Sequence, residues 1–433
     1  MNNLNGNNFN EIKDHIDQRK RRDLGLYIHV PFCKKKCDYC DFLSGPANKE
    51  IQKRYFEGLM KEIVSYKGGN NDYQVPTIFI GGGTPSAVDA NYIKEILETV
   101  RNVFSIKNEP EVSIEVNPGT VNEEKLNIYK SAGINRISFG LQSTNNRELK
   151  LLGRIHTYEE FVDNYHLARN LGFHNINIDL MSALPGQTLA SWELSLHKVL
   201  ALNPEHISAY SLIIEEGTPF YKRYGNNHEY KKSDKIINEE ELPDEEEDRK
   251  MYMRTKQILQ EHGYQRYEIS NYAKEGYECI HNNSYWTGTE YLGLGLGASS
   301  LVQNVRFHNI TELNQYIKTC NKFYTNEENA RFKHDRNVFT SILKDSVGIR
   351  ENLQVLSIKD RMEEFMFLGL RRDKGISKNY FFECFNVSIH TIFGEVIDHL
   401  IKNTLLISEG DKLKLSEYGV DISNQVLSQF LLD

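Results

Sequence analysis

Six short apolar segments, each followed by a stretch of helical periodicity, confine this chain to a parallel α/β architecture. The strand candidates are LGLYIHV at 24–30, TIFIGG at 77–82, EVSIEV at 111–116, INRISFG at 134–140, NINIDLM at 175–181 and HISAYSLI at 206–213. Helical patterns lie near 49–66, 87–103, 121–131, 145–151, 157–170 and 188–201. Strands that are apolar at most positions need cover on both faces, which a helix after every strand supplies. Right-handed crossovers then curl the sheet into a partial or complete barrel, with an open doubly wound sheet as the alternative.

The rest of the 433 residues divides by composition. Residues 1–22 read as a loose arm, 23–220 as the barrel core, 221–310 as a linker and barrel-completing region, and 311–433 as a separate C-terminal domain. Within the linker, YKRYGNNHEYKKSDKI is basic and INEEELPDEEEDRK acidic, a solvated excursion whose Pro243 and acids open a helix. Beyond 310, helical runs lead to LLISEGDKLKLSEYG, a winged-helix-like order without the dense basic helix that reads DNA. A net charge of −8 argues against nonspecific nucleic-acid binding. No long uncharged apolar segment predicts stable membrane insertion. Six scattered cysteines form no disulfide framework, and the expected setting is the reducing cytoplasm.

Chemistry concentrates where strands end. Cys33, Cys37 and Cys40 follow the first strand as CxxxCxxC. Structural zinc usually takes four protein ligands. Three thiolates instead suit a 4Fe–4S cubane whose fourth iron stays open to an exchangeable ligand. Lys34, Lys35 and Lys36 are expected to lower the thiol pKa values, and Tyr39 to pack near the cluster. Gly81-Gly82-Gly83-Thr84-Pro85 ends the second strand, where glycines let the backbone approach a ligand. Glu115, Gln142, Arg154 and Asp179 end or follow later strands, and together suit a ligand with an amine, a carboxylate and a ribose. Cys279, Cys320 and Cys384 read as isolated thiols.

The segments YIHVPFCKKKCDYCDF, FIGGGTPS, IEVNPGT, RISFGLQS, NIDLMSALPGQT and HISAYSL, in this order, resemble the radical S-adenosylmethionine proteins of the oxygen-independent coproporphyrinogen oxidase type. That resemblance implies a partial (β/α)6 TIM-like barrel with a C-terminal, mainly helical winged-helix-like domain. It implies a 4Fe–4S cluster on Cys33, Cys37 and Cys40, with S-adenosylmethionine completing it. Gly82, Gly83 and Thr84 would lie along the methionine portion, Tyr27 near the cofactor, and Glu115, Gln142, Arg154 and Asp179 on its polar groups. An electron donor such as flavodoxin is implied if the cofactor is cleaved.

Three features resemble the HemW-type haem-chaperone branch of that family. Phe42 stands where the oxidase typically carries another cysteine, and no long N-terminal extension precedes the first strand. HNNSYW, His281 to Trp286, resembles the HNxxYW signature implicated in haem binding. His281 offers an imidazole for haem iron, while Tyr285 and Trp286 offer flat apolar faces. The expected function is therefore transfer of haem to an acceptor protein. The alternative is oxidation of coproporphyrinogen III to protoporphyrinogen IX; radical modification of RNA or protein is a third possibility.

Overall fold

A computed structural model of the chain describes residues 21–67, 72–225, 241–324 and 348–432. Most of the expected N-terminal arm and the middle of the charged excursion lie outside these residues. The strands form where the apolar runs predict: β1 Gly25–Val30, β2 Tyr73–Gly82, β3 Ile106–Val116, β4 Arg136–Gln142, β5 Ile176–Ser182 and β6 His206–Ser211. They pair in parallel and in chain order. The intervening helices are α1 Lys49–Ser65, α2 Ala90–Val103, α3 Glu123–Ser131, α4 Tyr158–Asn170 and α5 Leu189–Leu200. Each is started by a polar cap, such as the Thr157–Glu160 capping box that opens α4. Asp244 caps a later helix, α6 Glu245–Glu261, with Glu245, Glu246 and Glu247 in its first turn, as the acidic run predicts.

Both edges of the six-strand array are then engaged by one stretch of chain. β7 Asn271–Ala273 pairs antiparallel with β6, and β8 Tyr291–Leu294 pairs parallel with β1. Between them, the short helix α7 Ile280–Trp286 is anchored on β3: the Glu111 carboxylate accepts from the N–H groups of Ile280 and His281, both at 3.0 Å. The array is a partial barrel whose open side this segment covers. Beyond β8 the sheet continues antiparallel through Ser299–Val302, Val305–Asn309 and Arg350–Val355. Residues 311–324 and 348–355 therefore pack with the barrel, since Tyr316, Ile317 and Ile349 join its core.

The C-terminal unit has its own core, which includes Met366, Phe381, Phe393, Leu413 and Phe430. Its order is helix Ile358–Gly369, strand Ile376–Ser377, helices Lys378–Phe385 and Ile389–Lys402, and a hairpin of Leu406–Glu409 and Lys412–Leu415. This is a winged-helix arrangement, and its third helix carries Glu395 and Asp398, giving no basic reading face. No described helix is long and apolar enough to cross a membrane.

A buried acid ties α1 to the strands beyond β8. Glu62, fully buried, accepts from the Gly295 N–H at 2.9 Å, the Asn309 amide at 2.7 Å and the Tyr316 hydroxyl. Burial raises its pKa, and these three donors oppose the rise. Glu62→Ala should lower the unfolding free energy by about 3 kcal/mol or more in urea titration, because three buried donors lose their acceptor. Glu62→Gln should cost less.

Candidate functional site

Strand register decides which side chains face the barrel interior. Pairing aligns Tyr27, Phe79, Ser113 and Arg136 in one row. Glu115, Ser138, Asn177 and His206 make the next row, and Gly140, Asp179 and Ser208 the one above. Barrels of this kind usually fill these positions with Val, Ile and Leu. Polar and small residues here leave a chamber of about 640 Å³, open at the C-terminal ends of the strands. Cys33, Cys37 and Cys40 line it, together with Tyr27, Gly82, Gly83, Thr84, Glu115, Gln142, Arg154, Asp179 and His281. The structure thus brings into one cavity the three cysteines, His281 and the residues expected along S-adenosylmethionine, while Cys279, Cys320, Cys384 and Trp286 do not line it.

The cysteine loop is fixed by its neighbours. Asp38 donates its N–H to Leu152 at 3.0 Å, accepts from the Phe220 N–H at 3.0 Å, and pairs with Arg223 at 3.0 Å. Tyr39 packs edge-on against Phe220. Thr84 donates to the Cys33 sulfur at 3.5 Å, and Arg154 to the Cys37 sulfur at 3.7 Å. In the lysine triplet, Lys34 reaches the Gly119 carbonyl and Lys36 the Phe42 carbonyl. At Cys40, burial raises the thiol pKa and outweighs the lowering by Lys36.

The cradle fits a cluster. A Cβ on Gly83 would lie 2.8 Å from the Phe32 carbonyl oxygen and 3.0 Å from the Cys33 sulfur, so only glycine lets the backbone pass so close. Gly82 has φ +114°, a conformation that costs glycine little. Gln142 takes φ +72° at a shift in register between β4 and β5, a strained position for a side chain held by the Tyr210 hydroxyl at 2.9 Å. Among the described residues no three His, Cys, Asp or Glu side chains gather about a single point suited to one metal ion. A cubane asks for a different arrangement, because each thiolate binds its own iron. Cys279 lies apart, donating to Glu111, and burial pushes its thiol up to about 12. Cys320 packs against Gly58, and Cys384 lies in the C-terminal unit.

Two acids and a guanidinium occupy the rim above. Glu115 accepts from the Gly82 N–H at 3.0 Å; burial, then the Asp179 carboxylate, pushes it up to about 7. Burial also raises Asp179, against hydrogen bonds from Asn177, Ser208 and Ser138 and the charge of Arg136. Arg154 holds Asn117 at 2.9 Å and the Gly140 carbonyl, while its buried Nε has no partner. The Tyr27 hydroxyl is bonded to His29 at 3.0 Å, and His29 in turn to the Leu43 carbonyl at 2.9 Å.

His281 sits deeper, 1% exposed, with its ring stacked on Phe79. Its Nδ1 bonds Thr77 and its Nε2 bonds Tyr285, both at 2.9 Å. Burial, with Arg136 nearby, pulls its pKa down to about 3, so the ring is neutral and both nitrogens are engaged. The aromatic pair of HNNSYW divides: Tyr285 faces the chamber, whereas Trp286 lies beneath Arg371 of the C-terminal unit. Arg136 and Asn271 also line the chamber, and sequence reading passed over both, since nothing in the strand pattern marks an inward polar residue as functional. Phe42 stands at the mouth, 62% exposed.

Comparison with known proteins agrees with this geometry. The Radical SAM superfamily matches residues 27–199, and the HemN C-terminal domain matches residues 356–422. Coproporphyrinogen III oxidase (HemN) of Escherichia coli superposes with a TM-score of 0.75 at 21% identity, covering 95% of this chain and 90% of that one, which shows a shared fold. The heme chaperone HemW of Lactococcus lactis is 33% identical over 94% of this chain and 97% of its own length. That of Bacillus subtilis is also 33% identical, over 94% and 98%. The fold and cysteine site define a radical S-adenosylmethionine protein. Within that class, the chain belongs to the HemW family, closely related to the coproporphyrinogen oxidases.

Gly83→Ala should lower the iron and sulfide retained per chain after anaerobic reconstitution and cost about 1–3 kcal/mol of stability through overpacking. Gly394→Ala, where an added Cβ meets only the His390 Cβ at an ordinary 3.8 Å, should leave iron retention unchanged; equal retention in both would show that Gly83 is not part of the cradle.

Proposed function

We propose that this protein is a haem chaperone, holding a 4Fe–4S cluster and exchangeable S-adenosylmethionine at the chamber mouth and passing haem to an acceptor protein. The observation that carries the reading is that one chamber joins the cysteine loop to the inward face of HNNSYW, with His281 and Tyr285 both lining it. Family membership and the expected motifs support it.

Cys33, Cys37 and Cys40 would hold the cluster, with Thr84 and Arg154 donating to two of the sulfurs. Glu115 and Asp179 would accept from the amino group and ribose of S-adenosylmethionine. Arg154 would balance its carboxylate. Gly82 and Gly83 would admit its backbone-hugging portion, with Thr84, Gln142 and Tyr27 ordering the walls. When bound, cluster and cofactor supply one-electron reduction of a sulfonium. A donor such as flavodoxin would then dock at the mouth, where Phe42 and Ile213 are exposed. Such a cluster suits the reducing cytoplasm. His281 is the candidate iron ligand, and ligation would cost its Nε2 bond to Tyr285.

Haem titration of the reconstituted protein, followed by transfer to acceptor extracts, tests the reading. A stoichiometric complex that delivers haem is expected. Conversion of coproporphyrinogen III to protoporphyrinogen IX with reductant would replace it with the oxidase reading. His281→Ala should alter the haem spectrum; an unchanged spectrum and stoichiometry would remove this residue from ligation.

The raised pKa of Glu115 gives a pH test. Only the carboxylate can balance a cofactor ammonium, and Asp179 and Tyr27 face it while no described base forms an ion pair with it. S-adenosylmethionine affinity should therefore hold above about pH 7 and fall by up to about tenfold per unit below it. Without ligand the sign reverses: the folded state keeps a proton that the unfolded chain releases near pH 4.5, so stability attributable to Glu115 declines as pH rises through that window toward about 7. Glu115→Gln should flatten both profiles, measured by equilibrium dialysis and by thermal melts.

A further inference from the structure

Arg136 opens β4 and projects into the chamber below the rim acids. It is 2% exposed, yet its buried Nε has no partner. Among the described residues its side chain makes no hydrogen bond or ion pair. The acid nearest in kind, Glu111, is committed: its oxygens take the N–H groups of Ile280 and His281 and the Cys279 thiol. Asp179 is likewise occupied by Asn177 and Ser138. The Glu111 and Asp179 carboxylates favour its charge from a distance, but neither supplies the hydrogen bonds that an enclosed guanidinium, which cannot shed its charge, leaves unmade. In the same chamber the Asn271 Oδ1, also buried, lacks a partner.

The walls around this charge are of two kinds. Tyr27 and Phe79, which share the Arg136 row, stack at 6.4 Å, and His281 stacks on Phe79 at 5.3 Å. Ser138, Asn177 and Ser208 line the other side. One face is therefore flat and aromatic, and at its margin sits a free fork of N–H donors. That pattern complements a planar apolar body that ends in a carboxylate.

We propose that the inner end of the chamber is a second subsite, separate from the one for S-adenosylmethionine, in which Arg136 takes a carboxylate arm of the guest. The inference rests on the haem reading above, in which the arm is a propionate.

The test compares haem with haem dimethyl ester, whose propionates are masked, in spectroscopic titrations of the reconstituted full-length protein. Wild-type protein should bind haem about tenfold or more tightly than the diester, as expected for losing one charge-assisted pair. Arg136→Gln should remove that preference, weakening haem by about tenfold more than the diester. Arg136→Lys should restore part of it. Equal affinity of the wild-type protein for both probes overturns the subsite and needs no variant. A preference that survives in Arg136→Gln also overturns it, moving the contact to the lysines at the mouth. Binding of neither probe sinks the haem reading itself, and this inference with it.

Discussion

A parallel sheet that curls without closing leaves a seam, and the structure depends on how that seam is covered. The strand edges at β6 and β1 expose backbone donors and acceptors that must be paired. Residues 271–294 do this in one pass, with β7 on one edge, α7 across the gap and β8 on the other. The pass is fixed by the Glu111 carboxylate at the start of α7. The same anchoring turns His281 and Tyr285 inward, so closing the fold and furnishing the chamber are one act.

Leaving that interior polar has an electrostatic cost, and the charges show how it is met. Burial raises both Glu115 and Asp179, and the Asp179 charge pushes Glu115 up further. Arg154 offsets the thiol side of the same space through Cys37. The usual aliphatic filling would be cheaper to fold and would hold nothing. Stability comes from elsewhere, from helix faces packed outside the strands and from the Glu62 hub that joins α1 to the segment beyond β8.

Much of this was legible in the chain. Consecutive apolar residues placed all six strands, the cysteine spacing placed the site, and the polar residues at strand ends proved to share one cavity. What escaped was set by tertiary context. Arg136 stands at the start of β4, and only register shows that it faces inward. The lysines beside the cysteines looked activating, but two of them are turned to carbonyls, and burial governs Cys40. Trp286 looked like a partner for Tyr285, yet the helical turn sends the two to opposite sides. The strand Arg350–Val355 belongs to the main sheet, through pairing with Val305–Asn309 that no local periodicity announces.

The depth of the chamber has a kinetic meaning. Arg136 and Gln142 stand at opposite ends of one strand, roughly 20 Å apart at the usual rise of a parallel strand. The inner end is stopped by α7, where His281 is almost wholly buried. A space loaded from one mouth behaves as a stack: what goes in first comes out last. A molecule seated on Arg136 would be trapped for as long as the level above is filled, so occupancy near the cysteines would act as a latch on its departure.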